Sequence, residues 1–349
     1  MFSEKPTLRD VAKLAGVSLG TASNALNNRG NVSDEARTRV IEAATALGYR
    51  MQVRAATVPS RPNLSVLGAI GKIDDGVTMT INPFYSYVLA GIERECQRYN
   101  LSLMLANISV DKVNRPVNLP PMLLDNQVDG VLMVGTFLED TIHQIGRKFE
   151  KPVVLVDAYA PGSRFDSVVT DNITGAYMAV KYLIKQGHQK IGLVGSSADA
   201  YPSIRERRKG YLRALKHHRI ADVYIEDSEL NRDSAYDAAC TLLQRAPEIT
   251  AIFACNDEVA VGVMLAARQM GREIPHDLSL IGFDDIDLAT QISPALTTMR
   301  VDKILMGKLA VRFLKDRAET PERSTLTTLI GTTLIARETV RPLARAGRE

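Results

Sequence analysis

The stretch Thr7–Tyr49, TLRDVAKLAGVSLGTASNALNNRGNVSDEARTRVIEAATALGY, carries three helical patterns in one short run. The first extends from about Leu8 to Ala15. Thr7 and Asp10 stand three apart as a capping box, and Leu8, Val11, Ala12 and Ala15 follow helical spacing. Gly16-Val17 turns the chain, and Ser18 is a good N-cap for a second helix reaching about Asn27. Ser33, followed by Asp34 and Glu35 where acids suit the helix dipole, starts a third helix to about Leu47, and Gly48 stops it. In the second helix Ala22, Ala25 and Leu26 face inward, while Leu19, Gly20, Ser23, Asn24 and Asn27 share the outward face. That face has no charge, which is unusual for a solvated helix. Its hydroxyl and amide groups suit phosphates and base edges. A short turn holding such a helix against a preceding one is the arrangement of a helix-turn-helix that enters the DNA major groove.

Charge points the same way. Residues 1–62 hold nine Lys/Arg against five Asp/Glu, a net of +4, whereas the rest of the chain nets −1. A basic head on a neutral body implies a polyanion partner for the head alone, with a merely solvated basic surface as the alternative on charge alone. Residues 50–63, RMQVRAATVPSRPN, form a linker with two prolines. Beyond it, short β-rich runs alternate with amphipathic helices. The strands expected are Ser65–Ile70, Ser102–Asn107, Gly130–Val134, Val153–Asp157, Ser167–Thr170, Lys190–Gly195, Ala251–Ala254 and Ser279–Phe283. The helices expected between them include Phe84–Tyr99, Ile173–Gln186, Ile204–His217, Ser234–Gln244 and Glu258–Met270. Such alternation gives parallel sheets with helices on both faces. The expected division is a head at 1–49, a hinge at 50–63, a body at 64–342 and a tail at 343–349.

Composition removes other classes. A chain of 349 residues suits two or three compact units. No apolar run approaches the roughly 18 residues that span a bilayer. The opening MFSEKPTLRD lacks the basic, apolar and small-residue sequence of a signal peptide. Cys96, Cys240 and Cys255 are scattered and odd in number, which fits a reducing cytoplasm and neither a disulfide framework nor a thiolate metal site. The five histidines form no close ligand pair, and no Walker or G-x-G-x-x-G motif is present. His188 is read as a helix-end cation, His217 and His218 as exposed helix-end residues. Neither enzymatic activity nor a cofactor or metal is expected.

The Thr7–Tyr49 stretch resembles the head of the lactose/galactose repressor family (LacI/GalR) from end to end. The shared skeleton is T-x-x-D-V-A-x-x-A-G-V-S-x-x-T-x-S-x-x-L-N, then V-S and L-G-Y. The resemblance implies that Thr7, Ser18, Thr21, Ser23, Asn27 and Ser33 meet DNA phosphates or neighbouring groups. It implies also that Leu19, Gly20 and Asn24 read bases. The alternative for Thr21 and Ser23 is a hydroxyl bonded back to a carbonyl of its own helix. In the hinge, Ala55 is retained, but the Pro-Asn that commonly follows Tyr-x in relatives is absent after Tyr49. Val58 replaces a leucine that relatives wedge into the minor groove, and Pro59 follows at once.

The resemblance continues through NPFYSYVLAGIERECQRYNLSLMLAN, VTDNITGAYMAVKYLIKQGHQKIGLVG and FACNDEVAVGVMLAARQMGREIPHDLSLIGFDD. It implies an α/β fold: an all-α helix-turn-helix head plus a two-lobed, doubly wound effector domain like periplasmic binding proteins. Ligand would lie at the strands' carboxyl ends. Asp157 closes VVLVD, Asn256-Asp257 follow AIFAC, Asp284-Asp285 follow LIGF, and Arg207 lies in RERRKGY. By resemblance, Asp157, Arg207, Asn256 and Asp284 line the cleft. Carboxylates and a guanidinium suit a vicinal diol or an anionic substituent. Asp257 and Asp284 could equally be helix N-caps. Asp171-Asn172 are read as shaping the lobe junction. Phe84 or Tyr85 presents a ring to the cleft or fills the core. Three departures leave the ligand open: Leu230 in place of an aromatic, Val301 in place of a glutamine, and Pro116, Pro120 and Pro121 where relatives have a polar helix.

The expected function is a DNA-binding transcriptional regulator, repression being the family's commoner mode, with a small sugar-like effector controlling operator affinity. Two heads for two half-sites imply a homodimer on a pseudo-palindromic operator. The alternative is a body that senses a protein co-regulator instead of a metabolite.

Overall fold

The computed structural model describes residues 6–26, 32–47, 49, 64–73, 78–109, 116–117, 119–135, 137, 139–158, 160, 165–197 and 200–343. The chain divides into two compact units, Met1–Arg61 and Pro62–Glu349. In the head, α1 (Leu8–Ala15), α2 (Leu19–Leu26) and α3 (Asp34–Ala46) surround a core of small side chains: Val11, Ala12, Ala15, Ala22, Ala25, Val40, Ala43 and Ala44. Gly16 takes a left-handed φ of 63°, and the Val17 amide returns to the Ala12 carbonyl at 3.1 Å. This stop turns the chain sharply enough to bring α2 against α1.

The body opens with β1 (Val66–Lys72), α4 (Tyr85–Arg98), β2 (Ser102–Ile108), α5 (Pro121–Leu124), β3 (Gly130–Val134), α6 (Glu139–Lys148), β4 (Val153–Val156) and β5 (Asp166–Thr170). It continues with α7 (Asn172–Lys185), β6 (Ile191–Val194), α8 (Pro202–His217), β7 (Tyr224–Glu226), α9 (Arg232–Arg245), β8 (Ala251–Ala254) and α10 (Asp257–Gln269). Then follow β9 (Ser279–Asp284), α11 (Leu288–Gln291), β10 (Thr297–Arg300), α12 (Lys303–Glu319), β11 (Thr327–Ile330) and β12 (Thr333–Ile335).

The strands form two sheets of six, ordered β2-β1-β3-β4-β5-β11 and β7-β6-β8-β9-β10-β12. All pairs are parallel except β10 with β12. The chain therefore passes between the lobes three times: after β5, after β10 and after β11. In each sheet the order reverses once, between β1 and β3 and between β6 and β8. Loops diverge at such a switch point and leave a crevice at the strands' carboxyl ends.

Close helix packing frames both lobes. A Cβ on Gly91 of α4 would lie 2.2 Å from the Ile304 carbonyl oxygen of α12, and one on Gly307 of α12 would lie 2.1 Å from that of Val88. On Gly210 of α8 it would meet the Ile173 oxygen at 2.4 Å. These backbones touch because no side chain intervenes. Asp166, fully buried, takes two hydrogen bonds each from Arg317 and Arg323, which ties the end of α12 to the start of β5.

All eight expected strands are present. The elements β7, β10, β11, β12, α5, α6, α11 and α12 lie outside the expected set. The missed strands are short, and three of them sit at sheet edges where half-exposure blurs apolar patterning. Around Pro116–Pro121 the described residues hold one helical turn, α5, begun at Pro121, as proline's lost N–H dictates. His188 departs from its reading as a helix-end cation. It is buried, with Nδ1 2.9 Å from Thr250 Oγ1 and Nε2 3.2 Å from the Arg341 carbonyl, and burial holds its pKa below the usual value. His218 is half-buried beside the exposed His217, not fully exposed.

Candidate functional site

In the head, Leu19, Gly20 and Asn24 are exposed on α2, and Ala22 and Ala25 are buried beneath them. Ser18 Oγ accepts the Thr21 amide at 3.0 Å and lies 2.8 Å from Thr21 Oγ1, so Ser18 caps α2 and the two hydroxyls partner one another. Thr21 thus bonds to a side chain, not to a carbonyl of its own helix. Ser23 is half-buried. Ser33 caps α3 by accepting the Ala36 amide at 3.4 Å. Thr7 donates both its amide and its hydroxyl to Asp10 Oδ2, at 2.8 and 2.6 Å, and these bonds hold the Asp10 carboxyl below its usual pKa. Asn27, Ala55 and Val58 lie outside the described residues. Gly16–Gly20 also reads G-x-S-x-G, the spacing of a hydrolase nucleophile elbow. Here Ser18 follows a helix instead of a strand, and the head contains no histidine.

In the body, a cavity of about 1060 Å³ opens at the carboxyl ends of both sheets. Phe84, Asp157, Arg207, Asn256 and Asp284 all line it. Asp157 follows β4 at φ 58°, and Asp284 ends β9 at φ 106°, followed by Asp285 at φ 51°. Left-handed φ at non-glycine residues is uncommon, and 106° lies beyond the small left-handed helical region. Such strain persists only where neighbours over-determine it. They do so here. Lys303 Nζ donates to the Asp284 and Asp285 carbonyls at 2.6 and 3.0 Å, Arg207 holds the Asp284 side chain, and Arg300 and Arg337 hold that of Asp285 at 2.6 Å each.

Arg207 is 4% exposed, and each of its three nitrogens donates one hydrogen bond. Its Nε donates to Asn172 Oδ1 at 2.9 Å, Nη1 to the Cys255 carbonyl at 2.6 Å and Nη2 to Asp284 Oδ1 at 3.0 Å. One face of the guanidinium lies 3.9 Å from the Phe283 ring centroid. Asn172, at the first lobe crossover, therefore orients the arginine, in keeping with its reading as a junction residue. Asp171 caps α7 through the Thr174 amide at 3.0 Å.

The strand-end acids divide by role. Asn256 Oδ1 accepts the Val259 amide at 2.8 Å and caps α10, and the residue lines the cavity. Asp257 is not the cap. It is buried, accepts Thr298 Oγ1 at 2.6 Å and the Ile286 amide at 2.9 Å, and braces the turn after β9. Burial and then the nearby Asp284 charge push its pKa up to about 8. Asp284 is not a cap either; it pairs with Arg207. Asp157 accepts Tyr85 OH at 3.0 Å, and burial, opposed by Arg207, pushes it up to about 7. Phe84 and Tyr85 both line the cavity, edge to face at 5.2 Å.

Five further residues matter that the sequence did not single out. Lys72, 9% exposed, ends β1 and is hydrogen-bonded to the Tyr201 phenol of the other lobe, with Nζ 4.2 Å from that ring's centroid. A lysine closing the otherwise apolar VLGAIGK was a usable signal. Tyr87 OH bonds both oxygens of Asp287, at 2.9 and 2.7 Å, and makes a second link between lobes. Lys303 clamps the strained turn from the second crossover. Its role depends on backbone carbonyls, which leave no mark in a sequence.

Comparisons with known proteins agree with this architecture. Residues 7–52 match the family described as bacterial regulatory proteins, lacI family, and residues 180–340 match the periplasmic binding protein-like domain. The chain is 34% identical to a ribose operon repressor of Haemophilus influenzae, over 96% of this chain and 98% of that one. It is 31% identical to the repressor PurR of Photobacterium profundum, over 97% and 99%. Among solved structures it is similar to the regulator CelR in complex with cellobiose, with 27% identity, a TM-score of 0.71 and coverage of 96% and 99%. It is also similar to a LacI family regulator from Enterococcus faecium with bound ribose, with 27% identity, a TM-score of 0.68 and coverage of 80% and 100%. No helix among the described residues is long and apolar enough to cross a membrane. A helix-turn-helix head, a two-lobed body and matches along nearly the whole chain lead to one conclusion: this chain belongs to the lacI family of bacterial regulatory proteins.

Proposed function

We propose that this protein is a cytoplasmic transcriptional repressor, a homodimer whose hold on a pseudo-palindromic operator is set by a small sugar or sugar derivative bound between the lobes of each body. The observation that carries the effector reading is the buried set Asp157, Arg207 and Asp284 at the floor of a cavity lined from both lobes. Buried carboxylates fixed by a guanidinium accept hydroxyl hydrogens from a polyol, and ligand contacts on both walls favour one lobe arrangement. Ligands in the solved relatives, cellobiose and ribose, are of this class. On the operator, Leu19, Gly20 and Asn24 read bases. Thr7, Ser18, Thr21, Ser23, Asn27 and Ser33 position the head on phosphates, and Ala55 and Val58 meet the minor groove. Asn256 presents its amide to the effector and Phe84 its ring. The protein regulates and does not catalyse, in line with relatives that are repressors.

The test is a thermal-unfolding screen of the full-length protein with sugars and nucleosides, followed by operator gel shifts with each compound that binds. A cleft ligand at about 100 times its Kd adds roughly 2.7 kcal/mol of apparent stability. At least one compound should shift both melting and operator affinity; a screen in which none moves either would refute the effector reading.

A further inference from the structure

We infer that the effector carries no anionic group: the cleft takes an uncharged polyol and rejects its phosphate ester or acid. This rests on the cleft being the effector site. Three cations line the cavity among the described residues, Lys72, Arg207 and Arg232, and each is already engaged. Arg207 gives one N–H from each of its three nitrogens to Asn172, Cys255 and Asp284, its charge is paired with Asp284, and one face lies against Phe283. Arg232 pairs with Glu258 at 2.5 Å, and Lys72 is bonded to Tyr201. Just behind the floor, Lys303 Nζ is surrounded by the carbonyls of Asp284, Asp285 and Val301.

Acceptors, by contrast, are in excess. Among the described residues Asp157 takes one hydrogen bond, from Tyr85, and Asp284 Oδ2 takes none, although a carboxylate accommodates about four. Asp227, Glu229 and Asp233 add carboxylates toward the rim. A hydroxyl donates to such groups directly. A phosphate would compete with Asp284 for the charge of Arg207, and weakening that pair leaves a buried carboxylate uncompensated, which is costlier than the bond gained. The acids already resist ionisation: burial pushes Asp157 up to about 7 and Asp257 up to about 8, and a further negative charge would work against them. Neutral donors, the Asn256 amide and the Ser203 hydroxyl, complete a lining suited to uncharged oxygen atoms.

The experiment titrates the full-length protein by calorimetry and thermal unfolding with inorganic phosphate, and with D-ribose, D-glucose and D-fructose each against its phosphate ester. Phosphate at about 10 mM should give no saturable stabilisation, and any sugar that binds should lose about 100-fold in affinity on phosphorylation. Asp284→Asn, which weakens the hold on Arg207 Nη2, should create a phosphate response. Saturable binding of phosphate or a phosphosugar to the wild-type protein, abolished by Arg207→Lys, would overturn the inference. If every sugar and phosphate is silent, the exclusion of anions stands and it is the sugar reading that fails.

Discussion

Arg207 Nη2 lies 3.0 Å from Asp284 Oδ1, and the pair joins the first turns of α8 to the strained end of β9. Both residues are buried, and Asn172 and Lys303 connect the pair to two of the three lobe crossovers. The pair therefore sits where two of the chain's passages between the lobes converge.

Removing one partner leaves the other charged and buried. Arg207→Ala should cost about 3–5 kcal/mol of body stability, whereas the double variant Arg207→Ala/Asp284→Ala should cost less than the sum of the singles. Where Asp284→Ala folds, it should lose the response to effector yet bind operator within a few-fold of wild type in its absence. Urea unfolding and gel shifts measure both. Additive costs and an intact response would show that the pair does not act as a unit.

Asp157 sets a pH dependence. Its folded pKa of about 7 stands above the roughly 3.9 of an unfolded aspartate, so the folded state binds the extra proton between those values. The resulting stabilisation is full below about pH 4 and is lost as pH rises through 7. His188, held low by burial, works the other way and is best separated by mutation. Asp157→Asn, which keeps an acceptor for Tyr85, should therefore gain melting temperature at about pH 8.5 relative to its gain at about pH 6. An equal change at both values would place the ionisation elsewhere.

Two glycines should respond oppositely to alanine. Gly91→Ala drives a Cβ to 2.2 Å from the Ile304 backbone oxygen and should cost at least about 1–3 kcal/mol. Gly20→Ala meets nothing nearer than Ser18 Oγ at 3.8 Å and should stabilise the head by up to about 1 kcal/mol through helix propensity. Thermal unfolding of each variant distinguishes the two cases, and a neutral Gly91→Ala would mean that α4 and α12 separate readily.

Asn24 should bias the operator. Asparagine pairs bidentately with adenine, exposed Leu19 suits a thymine methyl, and Gly20 offers no side chain. Selection from random duplexes should return half-sites richer in A·T at the positions this helix reads. A preferred guanine there, unchanged in Asn24→Ala, would contradict the assignment.

The hinge should bend DNA weakly. Val58 is one methylene shorter than leucine, a difference of about 0.8 kcal/mol of burial at most, and Pro59 biases it out of helical backbone. Val58→Leu should tighten operator binding or increase bending in a gel phasing assay. Strong bending by wild type, unchanged in the variant, would show that Val58 is not a wedge.

Much of this molecule was readable in one dimension. Helical and strand periodicities are local, so Ala22 and Ala25 could be set beneath Leu19 and Asn24, and eight strands could be located, before any coordinates. Edge strands such as Tyr224–Glu226 and Thr327–Ile330 escaped because a short, half-exposed run lacks a clear apolar rhythm. The cleft acids were identifiable as a group, since each follows an apolar strand.

Their separate roles were decided by the tertiary structure. Asp157, Asn256, Asp257 and Asp284 occupy equivalent places in the sequence, yet one takes a phenol, one caps a helix, one braces a turn and one holds an arginine. Their partners come from far along the chain: Asp284 from Arg207, 77 residues away, and Asp257 from Thr298, 41 residues away. Local sequence determined where hydrophobic burial ends and a polar group emerges. Which charge or donor meets that group depends on how two sheets and three crossovers close upon each other, because hydrogen bonds and desolvation act over a few ångströms of space and not along the chain.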